Sequence, residues 1–171
     1  LGDTIPLRLY YAYGIRNSFG MDFDPVSGNL WDSENGPGNG DEINLVLPGF
    51  NSGWQQVQGL ASQEASFSVS DLEDFNGKGH YADPKLVWVN TAGPTAVKFL
   101  NSSKLGTTYE NDMFVGDVHN GRIYHFDLTA DRKDLVLPQE LSSRIIEKPS
   151  SPGVSNIVFG EGFGGVTDLE V

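Results

Sequence analysis

Apolar residues in this chain recur at every second position, in short runs broken by glycine, proline and asparagine. Gly20-Met21-Asp22-Phe23-Asp24 alternates, Pro25–Asn29 is turn-rich, and Leu30-Trp31-Asp32-Ser33 runs back. Period-two apolar positions on either side of a Pro/Ser/Gly/Asn turn predict a hairpin. Glu42–Leu47 is a further strand closed by Pro48-Gly49, and Val87-Trp88-Val89 is a short aromatic one. The pattern then returns. Thr95–Leu100 alternates, Asp112–Asp117 comes back, His119-Asn120-Gly121 makes a tight turn, and Arg122–Leu128 goes out again. Gly164–Val171 opens the same motif a third time. The best helical candidate, Ser66–Phe75, is short and polar, so one or two turns in a loop are expected of it.

These runs form a weak internal repeat of roughly 70 residues, each unit a meander of about four strands. The expected fold class is all-β, and four-stranded antiparallel meanders at regular spacing point to propeller blades, with a sandwich as the competing architecture. In the propeller reading residues 1–20 end a preceding blade, 21–94 and 95–163 are two blades, and 164–171 begin the next. Propellers close with about four to eight blades. Either the natural protein is then about twice this length or the partial propeller self-associates, because open blades leave sheet edges exposed. Within a blade, the loop before the first strand and the loop after the second share one face. Arg16-Asn17, the Glu34–Glu42 loop, Gly93-Pro94, Asp117–His119 and Glu161–Gly165 are therefore expected at one mouth of a central channel, with Val26–Asn29 at the other.

Composition narrows the function classes. The 171 residues carry 21 glycines and 9 prolines, which favours many short strands. A net charge of −12 disfavours nonspecific attraction to nucleic acid or anionic membranes and suits divalent cations. With no cysteine there are no disulfides, thiolate metal sites or cysteine nucleophiles. No apolar run approaches the ~20 residues that span a bilayer, and no signal peptide is visible.

The Glu34–Glu42 loop packs three glycines, a proline and three carboxylates into nine residues. Carbonyls exposed by Gly-Pro turns beside Asp and Glu make the hard oxygen site that calcium prefers, although an ordinary acidic surface loop has the same composition. Its spacing is not that of an EF-hand. Arg16-Asn17 is either a carbonyl cap beside a turn or a planar donor fork for a carboxylate or quinone oxygen. Of three histidines, His125 lies mid-strand and reads as structural, His80 lies in a loop, and His119 alone falls at the expected mouth, where a base could act. No pair has helical zinc-ligand spacing. Gly160, Gly162 and Gly165 match a dinucleotide-loop spacing, but a strand follows, not a helix, so no such site is assigned.

Three runs carry a family resemblance: Tyr11–Met21 (YAYGIRNSFGM), Leu30–Asn44 (LWDSENGPGNGDEIN) and Pro48–Trp54 (PGFNSGW), with weaker likeness at Tyr81–Pro84, Phe114–Asp117 and Val166–Leu169. They resemble, in order and near the expected spacing, the soluble quinone-dependent glucose/sorbosone (aldose sugar) dehydrogenases. The resemblance implies a six-bladed propeller, pyrroloquinoline quinone (PQQ) and calcium as cofactors, a small sugar as substrate, and a periplasmic or extracellular location. Carried over by position, Arg16 and Asn17 match quinone contacts, Gly36 and Pro37 match carbonyl donors to the cofactor's calcium, and Asp41 and Glu42 match carboxylates of a second, structural calcium. The resemblance places the catalytic histidine upstream of Leu1, which leaves His119 as the candidate base within the chain. It places the quinone-clamping arginines where this chain has Gly165 and Thr167. The chain alone is expected to be an inactive part of a sugar oxidoreductase. A calcium-stabilised, non-enzymatic propeller module is the alternative.

Overall fold

The computed structural model describes residues 1–65 and 67–171. Among these, strands run in the order β1 (Ala12–Tyr13), β2 (Ser18–Phe23), β3 (Leu30–Glu34), β4 (Asp41–Val46), β5 (Phe50–Asn51), β6 (His80–Tyr81), β7 (Leu86–Trp88), β8 (Pro94–Phe99), β9 (Met113–Asp117), β10 (Arg122–Phe126), β11 (Ile145–Ile146) and β12 (Val158–Glu161). Among the described residues, helical structure is confined to short 3-10 turns and one four-residue segment, α1 (Val154–Ile157). No helix among the described residues is long and apolar enough to cross a membrane.

Each of the two repeat units becomes one antiparallel meander. The first sheet has the order β11-β7-β4-β3-β2, in which β2, β3, β4 and β7 pair antiparallel and β11 joins the outer edge in parallel. The second sheet has the order β12-β10-β9-β8, antiparallel throughout. A small parallel sheet, β1-β5-β6, fastens the Tyr11–Tyr13 run to the Phe50 and His80 segments.

The period-two alternation explains the core. Pairing sets Trp31 opposite Leu45 and Ile43 opposite Leu86, on one face of the first sheet. Val97 opposite Val115 and Met113 opposite Phe126 share one face of the second. These residues, with Trp88, Phe99 and Tyr124, form a single buried cluster between the sheets. Trp31, Ile43, Leu86, Met113 and Val115 are fully buried, each such side chain contributing about 1.5–3 kcal/mol on removal from water. Where β2 meets β8 the spacing is tight. A Cβ on Gly20 would lie 2.7 Å from both the Thr95 carbonyl oxygen and the Val97 nitrogen, so β2 touches the backbone of β8. Asp22 Oδ2 accepts the Phe99 N–H at 2.9 Å across the same junction. Beyond the Val26–Asn29 turn, buried Asp24 receives two bonds from the Arg132 guanidinium, at 3.0 and 2.7 Å.

The helical candidate keeps to the one or two turns expected of it, and three other expectations change. Ser66, the first residue of the helical candidate, lies outside the described residues; beyond it only Val69–Asp71 forms a single 3-10 turn. Ser68, Ser70 and Asp71 favour local side-chain bonding over a helix, and Ser68 Oγ indeed lies 2.8 Å from Ser70 Oγ. Gly164–Val171 forms no strand. It is fastened at one residue, Val166, whose N–H bonds the Asp117 carbonyl at 2.9 Å and whose carbonyl accepts Thr95 Oγ1, and one anchored residue makes no ladder. Val158–Glu161, read partly as loop, is strand β12. Residues 145–146, assigned to the second unit, extend the edge of the first sheet.

Candidate functional site

Hydrogen bonds gather the sequence-predicted residues at one end of the two sheets. The Arg16 N–H donates to Glu34 Oε1 at the end of β3, the Arg16 guanidinium donates to the Asn35 carbonyl, and the Asn35 N–H donates to the Asn17 carbonyl at 2.9 Å. The guanidinium sits over the Trp54 ring, 5.4 Å from its centroid. Arg16 and Asn17 are both exposed at this rim. Asn35 Nδ2 reaches the Pro94 carbonyl at 2.8 Å, which joins the loop to the second sheet.

Asp41 holds the Gly36-Pro37 turn from inside. It is fully buried. Its Oδ1 accepts the Gly36 N–H at 2.8 Å, and its Oδ2 accepts Thr91 Oγ1 at 2.7 Å and the N–H groups of Ala92 and Gly93, both at 2.8 Å. Both oxygens of Asp41, matched by resemblance to a calcium carboxylate, are thus engaged within the protein. Gly36 is dictated by space, since a Cβ there would fall 1.8 Å from the Asn39 carbonyl oxygen. The Thr91–Gly93 segment in turn carries the histidine loop. Val118 N–H bonds the Gly93 carbonyl, His119 N–H bonds the Ala92 carbonyl, and His119 Nδ1 lies 3.2 Å from the Thr91 carbonyl. Gly165 packs on Val118, and Thr167 is exposed beside it; neither supplies a guanidinium. Arg16, Asn17, Gly36, Pro37, Asp41 and His119 therefore belong to one bonded group of loops, with Val26–Asn29 at the opposite end of the β2–β3 hairpin.

Beneath this rim, on the face of β3 and β4 turned away from the core, lies a buried acidic group that the sequence reading did not assemble. Strand pairing sets Glu34 opposite Glu42 and Asp32 opposite Asn44, and all four are buried. Ser52 Oγ lies 2.7 Å from Glu34 Oε2 and 3.3 Å from Glu42 Oε2. Glu42 also accepts the Gly59 N–H at 2.7 Å and Asn44 Nδ2 at 3.1 Å. Asp32 accepts Ser18 Oγ at 2.7 Å. Burial, reinforced by the Glu34 charge, pushes Glu42 up to about 8 against three hydrogen bonds. Burial likewise lifts Asp32 to about 7 and raises Glu34, which the Arg16 N–H opposes. The signal was available in the acidic and amide residues at 32, 34, 42 and 44, each pair two apart and hence on one face of its strand.

Two observations bear on the implied cofactors. Asp32 Oδ1 and Asn44 Oδ1 are buried with no hydrogen-bond partner among the described residues. Orphaned acceptors beside carboxylates that resist ionisation mark a place short of positive charge. An all-oxygen set of this kind fits calcium. Arg16 and Asn17 fit a planar anionic quinone along one edge, and no second arginine stands at Gly165 or Thr167.

The chain is similar to known proteins. The family model described as glucose / sorbosone dehydrogenase matches residues 6–148, which contain the Arg16, Gly36, Thr91 and His119 loops but not the Glu161–Thr167 stretch. The aldose sugar dehydrogenase YliI of Escherichia coli K12 is 29% identical over 124 residues, 71% of this chain and 32% of its own length. The quinoprotein glucose dehydrogenase B of Acinetobacter calcoaceticus is 27% identical, with 69% of this chain and 34% of that protein covered. The solved structure of the soluble aldose sugar dehydrogenase of Escherichia coli in its apo-form superposes with a TM-score of 0.53 at 26% identity, over 74% of this chain and 37% of that one. The chain spans about a third of the length of the curated relatives it matches. Because the family model matches residues 6–148, well over half of the chain, this chain belongs to the glucose/sorbosone dehydrogenase family.

Proposed function

We propose that this chain is part of an enzyme that oxidises aldose sugars with PQQ and calcium. The observation that carries the reading is the hydrogen-bonded union of Arg16-Asn17 with the Gly36-Pro37 turn at one rim. When bound, quinone and calcium supply a hydride acceptor and the Lewis acid that polarises it. Arg16 and Asn17 orient the quinone at its edge. The Gly36 and Pro37 carbonyls hold the adjacent calcium, and Asp41 keeps that turn in shape. Glu42, with Asp32 and Asn44 beside it, holds a second calcium. With its Nδ1 proton directed to the Thr91 carbonyl, His119 has Nε2 left to accept a proton. The catalytic base of the complete site lies outside this chain, so the isolated chain is inactive and His119 is the weaker candidate.

The same reading assigns residues 21–94 and 95–163 to consecutive blades of a six-bladed propeller, with 1–20 and 164–171 belonging to its neighbours. It is supported by the stacking of inner strand on inner strand, β2 against β8. It is also supported by Phe19, Met21 and Phe23, which form a stripe on the outer face of β2, 59–61% exposed, suited to cover by another blade or a second copy. Location in the periplasm or outside the cell goes with the family resemblance.

The test is a PQQ titration of the full-length protein, stripped of metal, with and without added calcium. Saturable binding that requires calcium, dye-linked oxidation of aldoses, and at least tenfold weaker quinone binding in Arg16→Ala are expected. A second reading, a calcium-stabilised scaffold without enzymatic activity, is favoured by Gly165 and Thr167 at the clamp positions. Calcium binding without saturable quinone binding would establish it and end the enzymatic one.

A further inference from the structure

On the second sheet, register creates a different kind of ligand group. β9 and β10 pair Met113 with Phe126 and Phe114 with His125. One step beyond, Asp112 and Asp127 stand at the same end of the two strands, on the face that carries His125. Like charges set across from one another destabilise a strand pair, so this corner calls for a cation. His125 Nε2 lies 2.8 Å from Asp112 Oδ2 and 3.9 Å from Asp127 Oδ1. One ligand atom from each of the three residues lies within 4.8 Å of the others. The Asp112 side chain is 10% exposed, His125 20% and Asp127 62%, so the group is walled on one side and open to solvent on the other. The imidazole is held edge-on to Tyr109, ring centroids 5.1 Å apart, and beside Phe114 at 5.2 Å.

We infer that Asp112, His125 and Asp127 form a binding site for a first-row transition-metal dication, with zinc the best-suited probe. Around a tetrahedral ion with bonds of about 2.1 Å, ligand atoms stand ~3.4 Å apart. The observed 2.8 and 3.9 Å bracket that spacing and the two carboxylates lie within 4.8 Å of each other, so side-chain adjustments of about an ångström complete the set. Two carboxylates and a neutral imidazole carry two negative charges, which a dication cancels and a protonated histidine only halves. The imidazole nitrogen selects against calcium and magnesium, which take oxygen ligands. With three protein ligands, a fourth position faces water on the Asp127 side. Bound metal ties the start of β9 to the end of β10, and the site is separate from the calcium and quinone positions proposed above.

Zinc is titrated by calorimetry into the full-length protein after chelator treatment and dialysis, with calcium in excess throughout. Wild type is expected to bind one zinc per chain more than His125→Gln. Asp127→Asn, a change at an exposed position, is expected to weaken that zinc at least tenfold without altering the fold. With copper as probe, the nitrogen hyperfine pattern of one imidazole is expected to be lost in His125→Gln. Equal zinc stoichiometry in wild type and His125→Gln, or undiminished affinity in Asp127→Asn, overturns the site.

Discussion

Replacing Asp41 by asparagine tests how the rim is built. Asp41 accepts four hydrogen bonds, from Gly36 N, Thr91 Oγ1, Ala92 N and Gly93 N, all at 2.7–2.8 Å. An amide serves three of these donors if its oxygen takes the Oδ2 position. Its NH2 group then faces the Gly36 N–H, donor against donor. Hydrogen bonds to a charged acceptor contribute about 1.5–3 kcal/mol and neutral ones about 1, so three weakened bonds lose ~3 kcal/mol together. The stranded Gly36 N–H costs about 1–3 kcal/mol more, and relief from burying a charge offsets part of the sum. A net loss of about 3 kcal/mol is expected, a fall of roughly 9 °C in Tm for a protein of this size. Thr91→Val removes one donor to that charged acceptor and should lose about 1.5 kcal/mol. Urea unfolding measures both losses. Hydrogen exchange locates them, with faster exchange expected at Gly36, Ala92 and Gly93 and little change in β9 and β10. A loss below 1 kcal/mol in Asp41→Asn, or one no larger than in Thr91→Val, would refute the role of Asp41 as the organiser of this rim.

Arg132→Met leaves Asp24 buried without its guanidinium partner and should cost about 3 kcal/mol in urea unfolding at neutral pH. Although burial opposes ionisation of Asp24, bonds from Arg132, Ser27 and Val26 hold its carboxyl below the ordinary range. Its contribution is therefore whole above the unfolded pKa of about 4 and is lost as the pH falls through the lower folded value, so the gap between variant and wild type should close in acid. Glu42 has the opposite sign. In calcium-free buffer the folded protein keeps a proton that the unfolded chain releases, so stability should fall as the pH rises from 4.5 through about 8. Glu42→Gln should flatten that limb, and added calcium should flatten it in wild type. Gly36→Ala brings a Cβ against the Asn39 carbonyl; a loss of about 3 kcal/mol or more and at least tenfold weaker calcium binding are expected by calorimetry.

The long strands were legible because their alternation is strong and their turns carry glycine, proline or asparagine, as at Gly28 and Gly121, both with positive φ. The parallel β1-β5-β6 sheet was not. Strands of two residues have no periodicity to read, and their partners lie far apart in sequence. β12 was hidden by Gly160 and Gly162, which suggested a loop where pairing with β10 imposes a strand. Alternation likewise suggested a strand in Gly164–Val171, which pairs with none. At the site, the Arg16, Gly36 and His119 loops could be placed at one end from strand direction alone. The acidic group could be placed on one strand face by alternation, but its burial could not be read, because whether Asp32 and Glu34 face water or protein depends on the distant segment that carries Ser52 and Gly59. His125 read as structural from its own strand, since the Asp112 opposite it is a property of register.

The bare α-carbon of Gly20 has a geometric consequence. Where β2 meets β8, the two sheets stand a backbone's width apart, while farther out Trp31, Leu45, Trp88 and Tyr124 wedge them open. The pair is thus a slice with a thin inner edge and a thick outer one. In the propeller proposed above, repeated slices would turn about an axis on the thin side, and the angle of the slice would fix how many complete a circle. A bulkier residue at position 20 would thicken the inner edge, narrow that angle, and leave the circle short of a slice.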